Sequence, residues 1–149
     1  MKKVFITGAS SGIGKALALA YAKRGYSVGL TARREEILQD VAQICEKLGG
    51  TSFVYRLDVQ DAEKCKSVAD QFMADAGRID IAIANAGIGG DDGLFSGDSN
   101  QINTILNTNI LGVTNTLMPF IPAMKIQNRG ALVCISSVAS FMPLPFHGG

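Results

Sequence analysis

Thr7-Gly8-Ala9-Ser10-Ser11-Gly12-Ile13-Gly14 follows the short apolar run Val4-Phe5-Ile6 and leads into Lys15-Ala16-Leu17-Ala18-Leu19-Ala20. The first run is strand-like and the last is rich in good helix formers, so the stretch predicts strand, glycine turn, helix. In that arrangement free backbone N–H groups and a helix N-terminus can receive phosphate. Glycines at 8, 12 and 14 allow a tight turn, close approach of backbone to a ligand, and close helix–strand packing. Two better-known glycine patterns fail here. A P-loop would need residues other than Ala9 and Ala16 around Gly14-Lys15, and G-x-G-x-x-G does not match the spacing T-G-x-x-x-G-x-G.

Working outward, strand-like and helix-like segments alternate along the chain. Tyr26 to Thr31 reads as a second strand, and Ile37, Leu38, Val41, Ile44, Cys45 and Leu48 fall at helical spacing before Gly49-Gly50. Ser52 to Leu57 is a third strand. Cys65, Val68, Ala69, Phe72, Met73 and Ala76 make a further amphipathic stripe, capped at its start by Asp61. Ile79 to Ala84 is strand four. A loop rich in glycine and aspartate, Gly87 to Asp98, precedes a long helix from about Asn100, which Pro119 and Pro122 must kink or end. Ala131 to Ile135 is apolar throughout, as expected of a strand buried on both faces, and it ends in Ser136-Ser137. Five strands alternating with four helices predict an α/β fold, a doubly wound parallel sheet of the Rossmann-like kind in the order 3-2-1-4-5.

Composition sets bounds on function. The 149 residues amount to about one domain, and a formal net charge of +1 with scattered basic residues leaves no nucleic-acid footprint. No apolar run approaches a membrane span and no leader pattern follows Met1-Lys2-Lys3, so a cytoplasmic protein without nucleic-acid or membrane partners is expected. Cys45, Cys65 and Cys134 are widely spaced and read as reduced core thiols; His147 is the only histidine, which argues against a multi-His metal site.

Ligands of doubly wound sheets bind outside the C-terminal strand ends. Strand two ends in Thr31-Ala32-Arg33-Arg34, with no acid before Glu35, itself expected in the first turn of the next helix. An acid at this strand end holds a ribose 2′-hydroxyl, whereas arginine accommodates a 2′-phosphate, so Arg33 and Arg34 favour NADP. Ser10 or Ser11 could donate to the same phosphate. The alternative is a solvated surface pair. Asn109 stands out in the apolar stripe of the long helix marked by Ile102, Ile105, Leu106 and Val113, and a buried amide there must find hydrogen-bond partners.

TGASSGIG near the N-terminus resembles the short-chain dehydrogenase/reductase family, and the later strand ends fit the same resemblance. It implies that Gly8, Ser10, Ser11, Gly12, Ile13 and Gly14 bind the cofactor, that Arg33 stands where NADP-preferring members are basic, and that Asp58-Val59 lines the adenine site. It further implies that Asn85-Ala86-Gly87 is the family's Asn-Ala-Gly, although the usual preceding asparagine is Ala84 here. Asn109, heading Asn-x-x-Gly, takes a catalytic role by bending the helix around a proton-relaying water. Ser137 takes the role of catalytic serine, donating to a substrate carbonyl oxygen while hydride arrives from the nicotinamide. The family's tyrosine and lysine would fall at positions 150 and 154, beyond Gly149, and Tyr21, Tyr26 and Tyr55 cannot replace that tyrosine. The resemblance thus spans the whole chain but only the first half to two-thirds of a family member, without the last strands of the full fold.

The function expected is that of an NADP(H)-dependent oxidoreductase acting on a small carbonyl or alcohol substrate, homo-oligomeric in its complete form. These 149 residues alone are expected to be unstable or to self-associate, to bind NADP at most weakly and to lack hydride transfer. A non-catalytic dinucleotide-binding or sensor module, and a scaffold fragment that pairs with another chain, are the rival readings. A sensor would keep the glycine turn and the arginines but would not need Ser137 or Asn109.

Overall fold

A computed structural model of the chain describes residues 1–89 and 98–141; most of the loop after Gly87, and everything past Phe141 including His147, lie outside the described residues. The strands are β1 (Lys3–Thr7), β2 (Ser27–Ala32), β3 (Thr51–Arg56), β4 (Ile81–Ala84) and β5 (Ala131–Cys134). They form one parallel sheet in the order β3-β2-β1-β4-β5, as expected. Helices α1 (Gly12–Ala22), α2 (Glu35–Lys47) and α3 (Ala62–Ala76) fill the first three crossovers. Asp61 caps α3 by accepting from the Lys64 N–H at 2.8 Å, the role its position suggested.

Alternation along β1 sends Val4 and Ile6 to one face of the sheet and Phe5 to the other. The first face carries a core of Val4, Ile6, Val28, Leu30 and Ile83 with Ala18, Leu38 and Val41 from α1 and α2. On the second, Phe5, Phe72 and Phe120 meet with ring centroids 4.9–6.3 Å apart, joining the sheet to α3 and to the helical run that follows β4. Aromatic pairs in such tilted and edge-on geometry add about 0.5–1.5 kcal/mol each beyond their buried area.

The helical run is not one helix. It comprises α4 (Asn100–Leu106), a π-helical turn over Asn107–Leu111, α5 (Gly112–Leu117), a 3₁₀ turn over Met118–Phe120, and α6 (Ile121–Gln127). Pro119 and Pro122 interrupt the run without ending it, because each sits in the first turn of its segment, where no N–H is needed. Two expectations need correction. β5 is not buried on both faces: among the described residues it pairs only with β4, and Leu132 is 41% exposed at that edge. Cys134 on the same strand is exposed, while Cys45 and Cys65 are core thiols as expected. Among the described residues no helix is long and apolar enough to cross a membrane.

Two predictions follow from this packing. Burial, reinforced by the carboxylates of Asp61 and Asp58, pushes the Cys65 thiol up from 9.0 to about 11. The fold therefore keeps a proton that the unfolded chain releases, and stability falls as pH rises from the unfolded value towards the folded one. By pH 10.5 that loss should reach about 2 kcal/mol. Urea unfolding at pH 8 and 10.5 should show Cys65→Ser reducing the drop by about that amount; an equal drop in both proteins would contradict it. The second concerns Gly14, where α1 seats on the β1 turn. A Cβ there would lie 2.3 Å from the Gly8 carbonyl oxygen, so Gly14→Ala should destabilise by about 1–3 kcal/mol despite alanine's better helix propensity. An unchanged urea midpoint would rule that out.

Candidate active site

At the C-terminal ends of β1 to β4 the chain leaves the sheet in four loops that share one cleft of about 700 Å³. Gly8 and residues 10–13 line it from the β1 turn, Ala32 to Arg34 from β2, Leu57 to Val59 from β3, and Asn85 to Ile88 from β4. Every residue expected to bind a cofactor lines this cleft except Gly14, whose place is the helix–turn packing described above. Tyr21, Tyr26 and Tyr55 do not line it.

The β1 and β4 ends are joined by polar contacts. The Thr7 hydroxyl accepts from the Asn85 and Ala86 N–H groups at 3.1 and 3.2 Å, and Asn85 Nδ2 donates to the Thr7 carbonyl at 2.9 Å. Gly8 has φ +67°, and a Cβ on it would lie 2.8 Å from Ala86 Cα. Glycine is required there on both counts. The Ala9 N–H donates to the Thr31 carbonyl at 3.0 Å, tying the same turn to β2.

Ser11 is the N-cap residue of α1, yet its side chain makes no capping bond, and the first turn of α1 holds no acid. The first amides of α1 therefore lack a side-chain acceptor at the cleft wall, an arrangement suited to an anion. Arg33 and Arg34 are exposed and, among the described residues, make no ion pair. Glu35 and Glu36 lie in the first turn of α2, where the helix dipole favours them. Asp58 Oδ1 accepts from the Gln60 N–H at 3.1 Å.

Asn109 departs from the sequence expectation. It is exposed, not buried, although it is hydrogen-bonded near the end of β4 as expected. Thr108 and Gly112 take the core-facing line, with Gly112 against Val59, and this turns Asn109 towards the loop after β4. There Nδ2 donates to the Ile88 carbonyl at 2.8 Å and Oδ1 accepts the Ile88 N–H at 2.9 Å. Asn109 also lies within the π-helical turn, which interrupts the α-helical run at that residue. Ser137 follows β5, is exposed, and its carbonyl accepts the Ser140 N–H at 3.0 Å. Neither Asn109 nor Ser137 lines the cleft.

Sequence reasoning passed over Thr7 as a joint and over Thr31, Leu57, Ile88 and Thr108 as lining residues. Thr7 and Thr31 stand at the last positions of apolar strand runs, and that was the available signal. Thr108 and Ile88 left none, because their place depends on the π-helical turn and on the path after β4.

The sequence profile described as short chain dehydrogenase matches residues 2–148. The chain is 42% identical over 146 residues to 11-beta-hydroxysteroid dehydrogenase A of Sesamum indicum, covering 97% of this chain and 42% of that protein. It superposes with TM-score 0.92 and 33% identity on an alcohol dehydrogenase from the archaeon Thermococcus sibiricus complexed with 5-hydroxy-NADP, covering 99% of this chain and 63% of that one. An NAD+-bound xylitol dehydrogenase matches with TM-score 0.92 at 28% identity, over 98% of this chain and 56% of that one. The chain thus spans less than two thirds of the length of each. With the sheet order, the glycine turn and the matched profile in agreement, this chain belongs to the short chain dehydrogenase family of oxidoreductases.

Proposed function

We propose that residues 1–149 form an NADP-binding domain of the Rossmann-like kind, the nucleotide-binding portion of an enzyme that moves hydride between NADP(H) and a carbonyl/secondary-alcohol pair. The observation that carries this reading is the cleft, where a glycine turn with uncapped helix amides faces two arginines and no acid occupies position 32. Its size suits a dinucleotide, and its donors suit phosphate. The α1 amides and the β1 turn would hold the pyrophosphate, and Arg33 and Arg34, helped by Ser10 or Ser11, the 2′-phosphate. Asp58 and Val59 would face the adenine, and Asn85 to Gly87 the nicotinamide half. Since relatives include both an NADP complex and an NAD+ complex, family membership leaves the choice open, and the arginine pair favours NADP.

Bound there, the cofactor would supply or accept the hydride. Ser137 would donate a hydrogen bond, keeping its proton, to the substrate carbonyl oxygen and so steady the charge that develops there. Asn109 commits one donor and one acceptor to Ile88, which leaves one amide hydrogen and one oxygen lone pair for a water that relays protons.

The test is the dissociation constants of NADPH and NADH for the purified chain, wild type and Arg33→Ala. Charge-assisted hydrogen bonds to the 2′-phosphate should give roughly ten- to a hundredfold preference for NADPH, at the lower end in salt. Arg33→Ala should lose most of that preference while NADH affinity holds. Equal affinities in the wild type would overturn the NADP assignment.

A further inference from the structure

The loop after β3 is fastened to the helical run 100–127 at three points. Gln60 Nε2 donates to Thr108 Oγ1 at 3.0 Å, and Asn115 Nδ2 donates to the Val59 carbonyl at 2.9 Å. Between them, the missing Cβ of Gly112 makes room for Val59, whose Cγ2 would lie 2.6 Å from such an atom. Gln60 does not itself line the cleft, but it bridges two residues that do. Thr108 lines the cleft, and so does Asp58, whose Oδ1 is held by the backbone N–H of Gln60 at 3.1 Å.

The direction of the side-chain bond is fixed by its neighbours. The Thr108 hydroxyl donates its one proton to the Thr104 carbonyl at 2.9 Å, so towards Gln60 it can only accept. Thr108 is buried and Gln60 is exposed, so Gln60 can be changed without opening the core, whereas Thr108 cannot move to seek another donor. The place of this pair also says which half of a dinucleotide it meets. Phosphate belongs at the β1 turn and Arg33 and Arg34 follow β2, so the adenosine carrying a 2′-phosphate lies on the β2–β3 side, where Asp58 and Thr108 stand.

We propose that Gln60 is a positioning residue that locks Asp58 and Thr108 into one wall of the cleft and thereby sets the affinity for the adenosine half of the dinucleotide. This rests on the dinucleotide-binding reading given above. Without the amide of Gln60, the loop holding Asp58 loses its polar tie to the π-helical turn, and the wall must be ordered at the expense of binding.

The experiment measures affinities of NADPH and of adenosine 2′,5′-bisphosphate for the wild-type chain, Gln60→Ala, Thr108→Val, the double variant and Thr108→Ser, with urea midpoints alongside. Each of the first two should weaken both ligands equally, by about three- to tenfold. The double variant should be no weaker than the weaker single, because both remove one contact. Thr108→Ser keeps the hydroxyl and should stay within about twofold of wild type. Unchanged affinity in Gln60→Ala, losses that add in the double variant, or a fall in stability with affinity intact would each overturn the proposal. Wild-type protein that binds neither ligand would overturn the dinucleotide reading with it, whereas binding that is indifferent to Gln60 overturns this inference alone.

Discussion

The hydroxyl of Thr7, a residue only 1% exposed, is where the β1–β4 pairing ends and the cleft begins. Parallel strands that end side by side leave buried amides with no ladder partner, and each such amide costs about 1–3 kcal/mol if unmet. Here the Thr7 hydroxyl accepts the Asn85 and Ala86 amides, and Asn85 Nδ2 returns to the Thr7 carbonyl. The loop after β4 is thereby drawn against Gly8, so closely that no Cβ fits between them. Gly14 seats α1 against the same turn, and the helix start is brought to the cleft wall. Threonine suits this joint because a single hydroxyl can accept twice while a β-branched body continues the strand.

The first three helices begin beside the same sheet ends but treat their N-termini differently. α3 spends the Asp61 carboxylate on its own Lys64 amide, and α2 carries Glu35 and Glu36 in its first turn. α1 has neither a side-chain cap nor an acid. Of these helix starts, α1 alone therefore keeps its positive end for something outside the fold. With two arginines at the β2 end the cleft is electropositive along one side, while Asp58 marks the β3 wall. The proposed orientation of a dinucleotide in the cleft rests on that distribution.

Much of this was legible in the sequence, for physical reasons that differ by element. The central strands β1, β2 and β4 show as short apolar runs because both sheet faces are covered there, and the right-handed crossover leaves few orders for five strands. The cleft residues are legible because strand ends collect them. Three features were not. β5 reads as a fully buried strand because its composition is apolar, yet exposure is decided by what pairs with it. The π-helical turn over Asn107–Leu111 has no compositional mark, so the phase of the helix, and with it the exposure of Asn109, was misjudged. The Gln60–Thr108 bond spans 48 residues and joins two unremarkable polar side chains, which only the packed fold brings together.

On this reading the C-terminal strand ends form one dinucleotide cleft built around the β1 turn. Amide chemical-shift mapping of the labelled chain during titration with NADP+ tests it most directly. Saturable shifts should cluster at Gly8 to Gly14, Arg33 and Arg34, Asp58 and Val59, and Asn85 to Ile88, with none at Lys3 and Asp80 at the opposite end of the sheet. Shifts confined to that opposite end, or no saturable shifts at the glycine turn, would contradict the account.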